Sequence, residues 1–166
     1  MAKSIKFKND TYLDSTSIRH NKELLSDILN KTNEIITVSL SSQLNNLTAD
    51  GDIVFDKYVS IGNKLTLNNG KVKIGANVKK VKVSGACFID TANSTGYLWL
   101  FINRNDSIVA SNLTAGATIY KSCSIATRVI EVSEGDLISL EIDNTGGTPY
   151  SIRSGHNTYL TVEVVE

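Results

Sequence analysis

Along most of this chain apolar and polar residues alternate with a period of two, the signature of strands with one dry and one wet face. The clearest run is RVIEVSEGDLISLEID, residues 128–143. Ile130 and Val132 alternate with Glu131 and Ser133 before a turn at Ser133–Asp136. Ile138, Leu140 and Ile142 alternate with Ser139, Glu141 and Asp143 after it. Gly135 can take positive φ without steric cost, so the stretch predicts a β-hairpin whose aliphatic face holds its register.

The same period runs from Glu34 to the end. Ile36, Val38 and Leu40 open it, IVFDKYVSIG (53–62) follows, and Leu65/Leu67 and Val72/Ile74 flank Asn69-Gly70, a strong two-residue hairpin signal. Val78, Val81, Val83, Cys87 and Ile89 carry the pattern through 77–90. Residues 117–132 predict a long strand and the run from Tyr159 to Val165 a final one. Segment 95–112 differs: Tyr97, Trp99 and Phe101 point one way, and Leu98, Leu100 and Ile102 the other. A strand apolar on both faces is covered on both. One face belongs to the core and the other to a subunit interface, so Tyr97, Trp99 and Phe101 are expected in one or the other. About ten short strands with regularly spaced turn signals predict an all-β sandwich or jelly roll.

Residues 17–33 break the period. Ser17 can cap a helix, and Ile18, Leu25, Ile28, Leu29 and Thr32 form one stripe. About four turns is marginal alone in water. The helix therefore needs a partner, either copies of itself in a parallel bundle or its own domain. The expected division is an N-terminal segment with a short helix, 1–33, and a β-rich head, 34–166.

Charge removes several function classes. Seventeen Lys plus Arg against 17 Asp plus Glu leave a formal net charge of zero in 166 residues, without the basic excess of a nucleic-acid binder. Lys71, Lys73, Lys79, Lys80 and Lys82 alternate with apolar residues and read as the wet face of strands. No run approaches the ~20 apolar residues of a membrane helix, and no signal-peptide pattern follows Met1, so neither membrane insertion nor secretion by that route is expected. Cys87 and Cys123 read as reduced, buried small hydrophobes.

Candidate chemistry is sparse. His20 and His156 have no acidic or cysteine neighbour at triad or ligand spacing, so no catalytic residue is assigned. Asp50-Gly51-Asp52, or Asp90 with Asn93, offers hard oxygen ligands but no complete set, so no metal and no cofactor are expected. An aromatic platform for carbohydrate is conceivable at Trp99 with Tyr97, or at Tyr150 and Tyr159 near the C-terminal loop. Tyr150, His156, Asn157 and Tyr159 are the candidate ligand-binding residues.

Three segments in order resemble the C1q/TNF-like jelly roll: ITVSLSS (36–42) with IVFDKYVS (53–60), GYLWLFINRNDSIVAS (96–111), and VIEVSEGDLISLEI (129–142). The resemblance implies a homotrimer of such heads. On its mapping, Cys87 and Cys123 fall on non-adjacent strands of one sheet. MAKSIKFKNDTYLDSTSIRHNKELLSDIL (1–29) resembles the N-terminus of small tail or baseplate proteins of phages and prophages from low-GC Gram-positive bacteria. That resemblance implies a non-enzymatic virion component, assembled in the cytoplasm, with other tail or baseplate proteins and host cell-wall carbohydrate as partners. The alternative is a free-standing bacterial C1q-like lectin or ligand-binding module.

Overall fold

The alternation read from the sequence becomes strands almost everywhere it occurs. The computed structural model describes residues 34–91, 96–115, 119–146 and 149–165, with the backbone of 5–6 and 12–13. The chain divides into two compact units, Met1–Thr32 and Asn33–Glu166. In the first, β1 (Ile5–Lys6) pairs antiparallel with β2 (Tyr12–Leu13). The helix expected over 17–33 lies outside the described residues.

The second unit contains thirteen described strands in two antiparallel sheets. They are β3 (Ile35–Ser39), β4 (Leu44–Leu47), β5 (Gly51–Asp52), β6 (Lys57–Ile61), β7 (Leu65–Asn68), β8 (Lys71–Ile74) and β9 (Lys80–Asp90). After these come β10 (Tyr97–Arg104), β11 (Ser107–Ala115), β12 (Tyr120–Glu131), β13 (Leu137–Asn144), β14 (Tyr150–Ile152) and β15 (Tyr159–Val164). One sheet runs β7-β8-β13-β10-β11, with β5 also on β13. The other runs β6-β3-β15-β9-β12. β9 is bonded along its length by β12 on one edge, whereas β15 covers Val81–Ala86 and β14 covers Ile89–Asp90 on the other. Phe88, in the gap, donates its N–H to Thr158 Oγ1 at 3.3 Å and accepts from Arg153 N–H at 2.9 Å.

The core lies between the sheets. β9 buries Val81, Val83, Cys87 and Ile89 and turns Lys80, Lys82, Ser84, Ala86, Phe88 and Asp90 outward. Leu98, Leu100 and Ile102 of β10 and Ile138, Leu140 and Ile142 of β13 face them from the opposite sheet. Each such side chain contributes roughly 1.5–3 kcal/mol of transfer free energy, and a one-residue slip would reverse every one of them. Gly85 faces Leu140 of the opposite sheet. A methyl group there would meet Leu140 Cδ1 at 2.9 Å.

Two expectations need correction and a third narrows. The Ser133–Asp136 turn does not close a hairpin, because β12 pairs with β9 in one sheet and β13 with β10 in the other. Gly135 does take positive φ (+89°), and Asp136 Oδ2 accepts from the Ser133 N–H at 2.9 Å. The turn instead carries the chain from one layer to the next, and period-two alternation reports a dry face without saying which strand lies beside it. By contrast, Asn69-Gly70 does close a hairpin, β7–β8, with φ of +49° and +80°. Secondly, Cys87 and Cys123 lie on adjacent strands and directly opposite each other. Both are free and buried, and burial pushes the Cys87 thiol up to about 12. For Tyr97, Trp99 and Phe101, expected in the core or at a subunit interface, the core alternative drops out, because the side of β10 that faces the core is Leu98, Leu100 and Ile102.

Candidate binding surfaces

The C-terminal candidates sit where β9 changes neighbours. After β14 the chain makes a single 3-10 turn, Gly155–Asn157, pinned by Gly155 N–H donating to Leu40 O at 3.2 Å. β15 then begins with Tyr159, placed between Ser39 of β3 and Ala86 of β9. These small neighbours leave the half-buried tyrosine at the wall of a shallow cleft of about 440 Å³, lined also by Thr37, Ser39, Val59, His156 and Thr161. Thr37 and Thr161 join their hydroxyls across its floor at 3.0 Å.

Asn157 lines the adjoining depression of about 340 Å³, with Phe88, Tyr120 and Arg153. There the Arg153 guanidinium lies 5.7 Å from the Phe88 ring centre and 5.9 Å from that of Tyr120. Its Nη2 reaches Asp90 Oδ2 at 2.8 Å and its Nε the same oxygen at 3.1 Å. The ion pair fixes the cation over two aromatic faces that attract it through their quadrupoles. The fold thus brings His156, Asn157 and Tyr159 to one end of one sheet face. Phe88, Tyr120 and Arg153 were missed; the alternation of β9 and β12 placed both rings on the wet face, which was the available signal.

Tyr150 does not join them. It is 3% exposed, and its hydroxyl donates to Ala49 O at 2.8 Å. Burial, followed by the Asp50 carboxylate, pushes that hydroxyl above the ordinary tyrosine value. The expected exposed ring is a buried structural one, in a strand paired with β4 (Leu47 beside it) and tied by its hydroxyl to the loop that follows β4.

A second surface lies on the outside of the other sheet. Tyr97, Trp99 and Phe101 follow one another there along β10, with Tyr97 49% exposed. The Trp99 and Phe101 rings are within 4° of parallel, their centres 5.9 Å apart. Asp143 of β13 stands opposite Trp99, and Glu141 opposite Phe101.

Among the described residues no group of three or more His, Cys, Asp or Glu is placed to hold a metal ion. Asp52 of the Asp50-Gly51-Asp52 stretch is engaged by Lys71 Nζ at 2.6 Å. No helix among the described residues is long and apolar enough to cross a membrane.

No protein-family model matches the chain, and no curated protein sequence matches it. Solved structures do. Three crystal structures of murine APRIL, at pH 5.0, 8.0 and 8.5, superpose with TM-scores of 0.62, 0.63 and 0.58 at 12%, 12% and 11% identity. Each alignment covers 81% of this chain and 100% of the other. The head is a C1q/TNF-like jelly roll. At this identity the likeness is one of fold.

The jelly roll has two open sides, and each exposes large apolar side chains. On one side β6 is exposed along its length, with Tyr58, Val59 and Ile61 at 55%, 70% and 61%. On the other, where β11 lies against β12, Ile108, Tyr120 and Val129 are exposed among polar neighbours such as Asn112, Ser122 and Ser124.

Proposed function

We propose that this chain is a non-enzymatic structural protein of a phage or prophage tail, with homotrimeric jelly-roll heads that bind carbohydrate at the host surface. The observation that carries the assembly is the pair of unlike edges on opposite sides of the sandwich, each exposing large apolar side chains. An exposed edge strand such as β6 invites pairing or aggregation unless something covers it. Two different patches on opposite sides mate head to tail, and such contacts close into a ring when the rotation allows. Three is the number implied by the resemblance to C1q-like heads. The virion setting, with other tail or baseplate proteins as partners and assembly in the bacterial cytoplasm, is supported by the resemblance of residues 1–29. The reading contains no catalytic step.

Light scattering on the full chain tests the assembly. An 18.0 kDa chain should give a particle of about 54 kDa. Val59→Asp and Val129→Asp, each charging one of the two edges, should each release monomers. A monomeric wild-type protein, or a trimer indifferent to both substitutions, refutes the head-to-tail contact. Immunoblotting of purified phage particles tests the virion assignment, and absence of the protein from them refutes it.

A further inference from the structure

We propose that the outer face of β10 and β13 is a glycan site that selects a pyranose bearing a protonated amine. The sugar ring would lie on Trp99 and Phe101, with its ammonium on the Asp143 carboxylate. This deepens the carbohydrate-binding part of the preceding reading and does not depend on the number of subunits.

The argument is one of complementarity. Cross-strand partners in an antiparallel sheet share a face, so the registers place two rows side by side. One is Tyr97, Trp99 and Phe101 along β10; the other is Asp143 and Glu141 along β13, with Asp52 of β5 beyond Glu141. On the far side of β10 stand Ala115, Leu113 and Ser111, two of them too small to cover the rings. The Trp99 and Phe101 rings stack on each other with centres 5.9 Å apart, and the part of this half-buried pair left exposed offers aromatic surface to the C–H face of a sugar.

The carboxylate row then fixes which sugar. Asp52 is neutralised by Lys71, and Glu141 accepts from the Asn103 side-chain amide. Asp143 makes no ion pair or hydrogen bond with any described residue. Glu141 keeps its charge, but one of its oxygens is taken by Asn103, so among the described residues Asp143 is the carboxylate of this face with both oxygens open to a ligand. A neutral sugar would use the rings and leave that charge uncompensated. A small ammonium without a ring would use the charge and leave the platform empty. An amino sugar uses both, through a charge-assisted hydrogen bond beside a stacking contact.

Trp99 is the only tryptophan in the chain, so its fluorescence reports on this face alone. The full-length protein is titrated with an oligomer of glucosamine, with the same oligomer fully N-acetylated, and with a glucose oligomer. The expected result is a saturable change in Trp99 emission with the glucosamine oligomer, weakening as salt rises. The other two should bind at least about tenfold more weakly, as expected for losing one charge-assisted hydrogen bond. Asp143→Asn, isosteric and on the surface, should cost a similar factor while leaving the far-UV spectrum unchanged. Equal binding of all three oligomers overturns the amine selection, and no Trp99 response to any of them overturns the site. If Trp99→Ala dissociates the particle in light scattering, this face is a subunit contact and the proposal falls. A monomeric wild-type protein that still binds glucosamine would refute the assembly while supporting the site.

Discussion

Replacing Gly85 with alanine puts a methyl group 2.9 Å from Leu140 Cδ1 and 3.2 Å from the carbonyl oxygen of Tyr159. Alanine has the better intrinsic preference for a strand, so a purely local argument favours the substitution. Packing reverses the sign: inserting a methyl into a filled interior costs about 1–3 kcal/mol. Leu140, itself 0% exposed, should cost about 2–5 kcal/mol when truncated to alanine. In the double variant the new methyl occupies space the leucine has left, although the contact with the Tyr159 carbonyl persists. The pair should therefore fall short of the sum of the single costs by about 1–2 kcal/mol, within the range for residues in contact. Urea unfolding followed by Trp99 fluorescence and far-UV circular dichroism supplies the four values. Protomer concentration must be held fixed, since an assembling protein gains stability by mass action. Additivity to within about 0.5 kcal/mol, or a neutral Gly85→Ala, would refute the view that the two sheets touch through this pair.

Two further outcomes concern pH. The Cys87 thiol, raised to about 12 by burial from an ordinary value of 9.0, stays neutral while the unfolded chain ionises. The stability it contributes is intact below pH 9 and declines as pH rises toward 12. The loss is on the order of 1 kcal/mol near pH 10, and a urea midpoint that falls no faster there than in Cys87→Ala contradicts it. Asp56 accepts from the Ser41 hydroxyl at 2.5 Å and from its N–H at 2.7 Å, and these bonds hold its carboxyl below the ordinary 3.8. Its contribution is present above that value and is lost as pH falls through the lower folded one. Carbon-detected NMR titration should show a depressed midpoint that Ser41→Ala raises.

The strands were legible because most have one wet face, and the burial of β9 repeats the expected alternation residue by residue. Turn chemistry was legible too, since Asn69-Gly70 and Gly135 adopt the positive φ their types allow. Partner choice was not. Nothing in the period of 128–143 distinguishes a hairpin from a crossing between layers, and the opposition of Cys87 and Cys123 depends on that same long-range pairing. Of the C-terminal candidates, His156, Asn157 and Tyr159 were found together because they are close in sequence. Tyr150 looked equally exposed beside Pro149, but β4, about a hundred residues earlier, pairs with its strand. Arg153 needed Phe88, Asp90 and Tyr120 from two other strands before it meant anything.

The interrupted edge of β9 separates surface chemistry from structural continuity. Residues 153–158 leave the sheet between β14 and β15, yet both ends are tied to the backbone of a single residue, Phe88. The strands on either side keep their own ladders, and the other edge of β9 is occupied by β12 throughout. Gly155 keeps the turn in place through its N–H on Leu40 O and its positive φ of +68°, which leaves His156 and Asn157 as the exposed positions with few ladder bonds to keep. Loops tolerate change where few ladder bonds depend on them. The head therefore carries a short cassette at this end of the sheet, whose exposed side chains can be exchanged without breaking the ladders that present them.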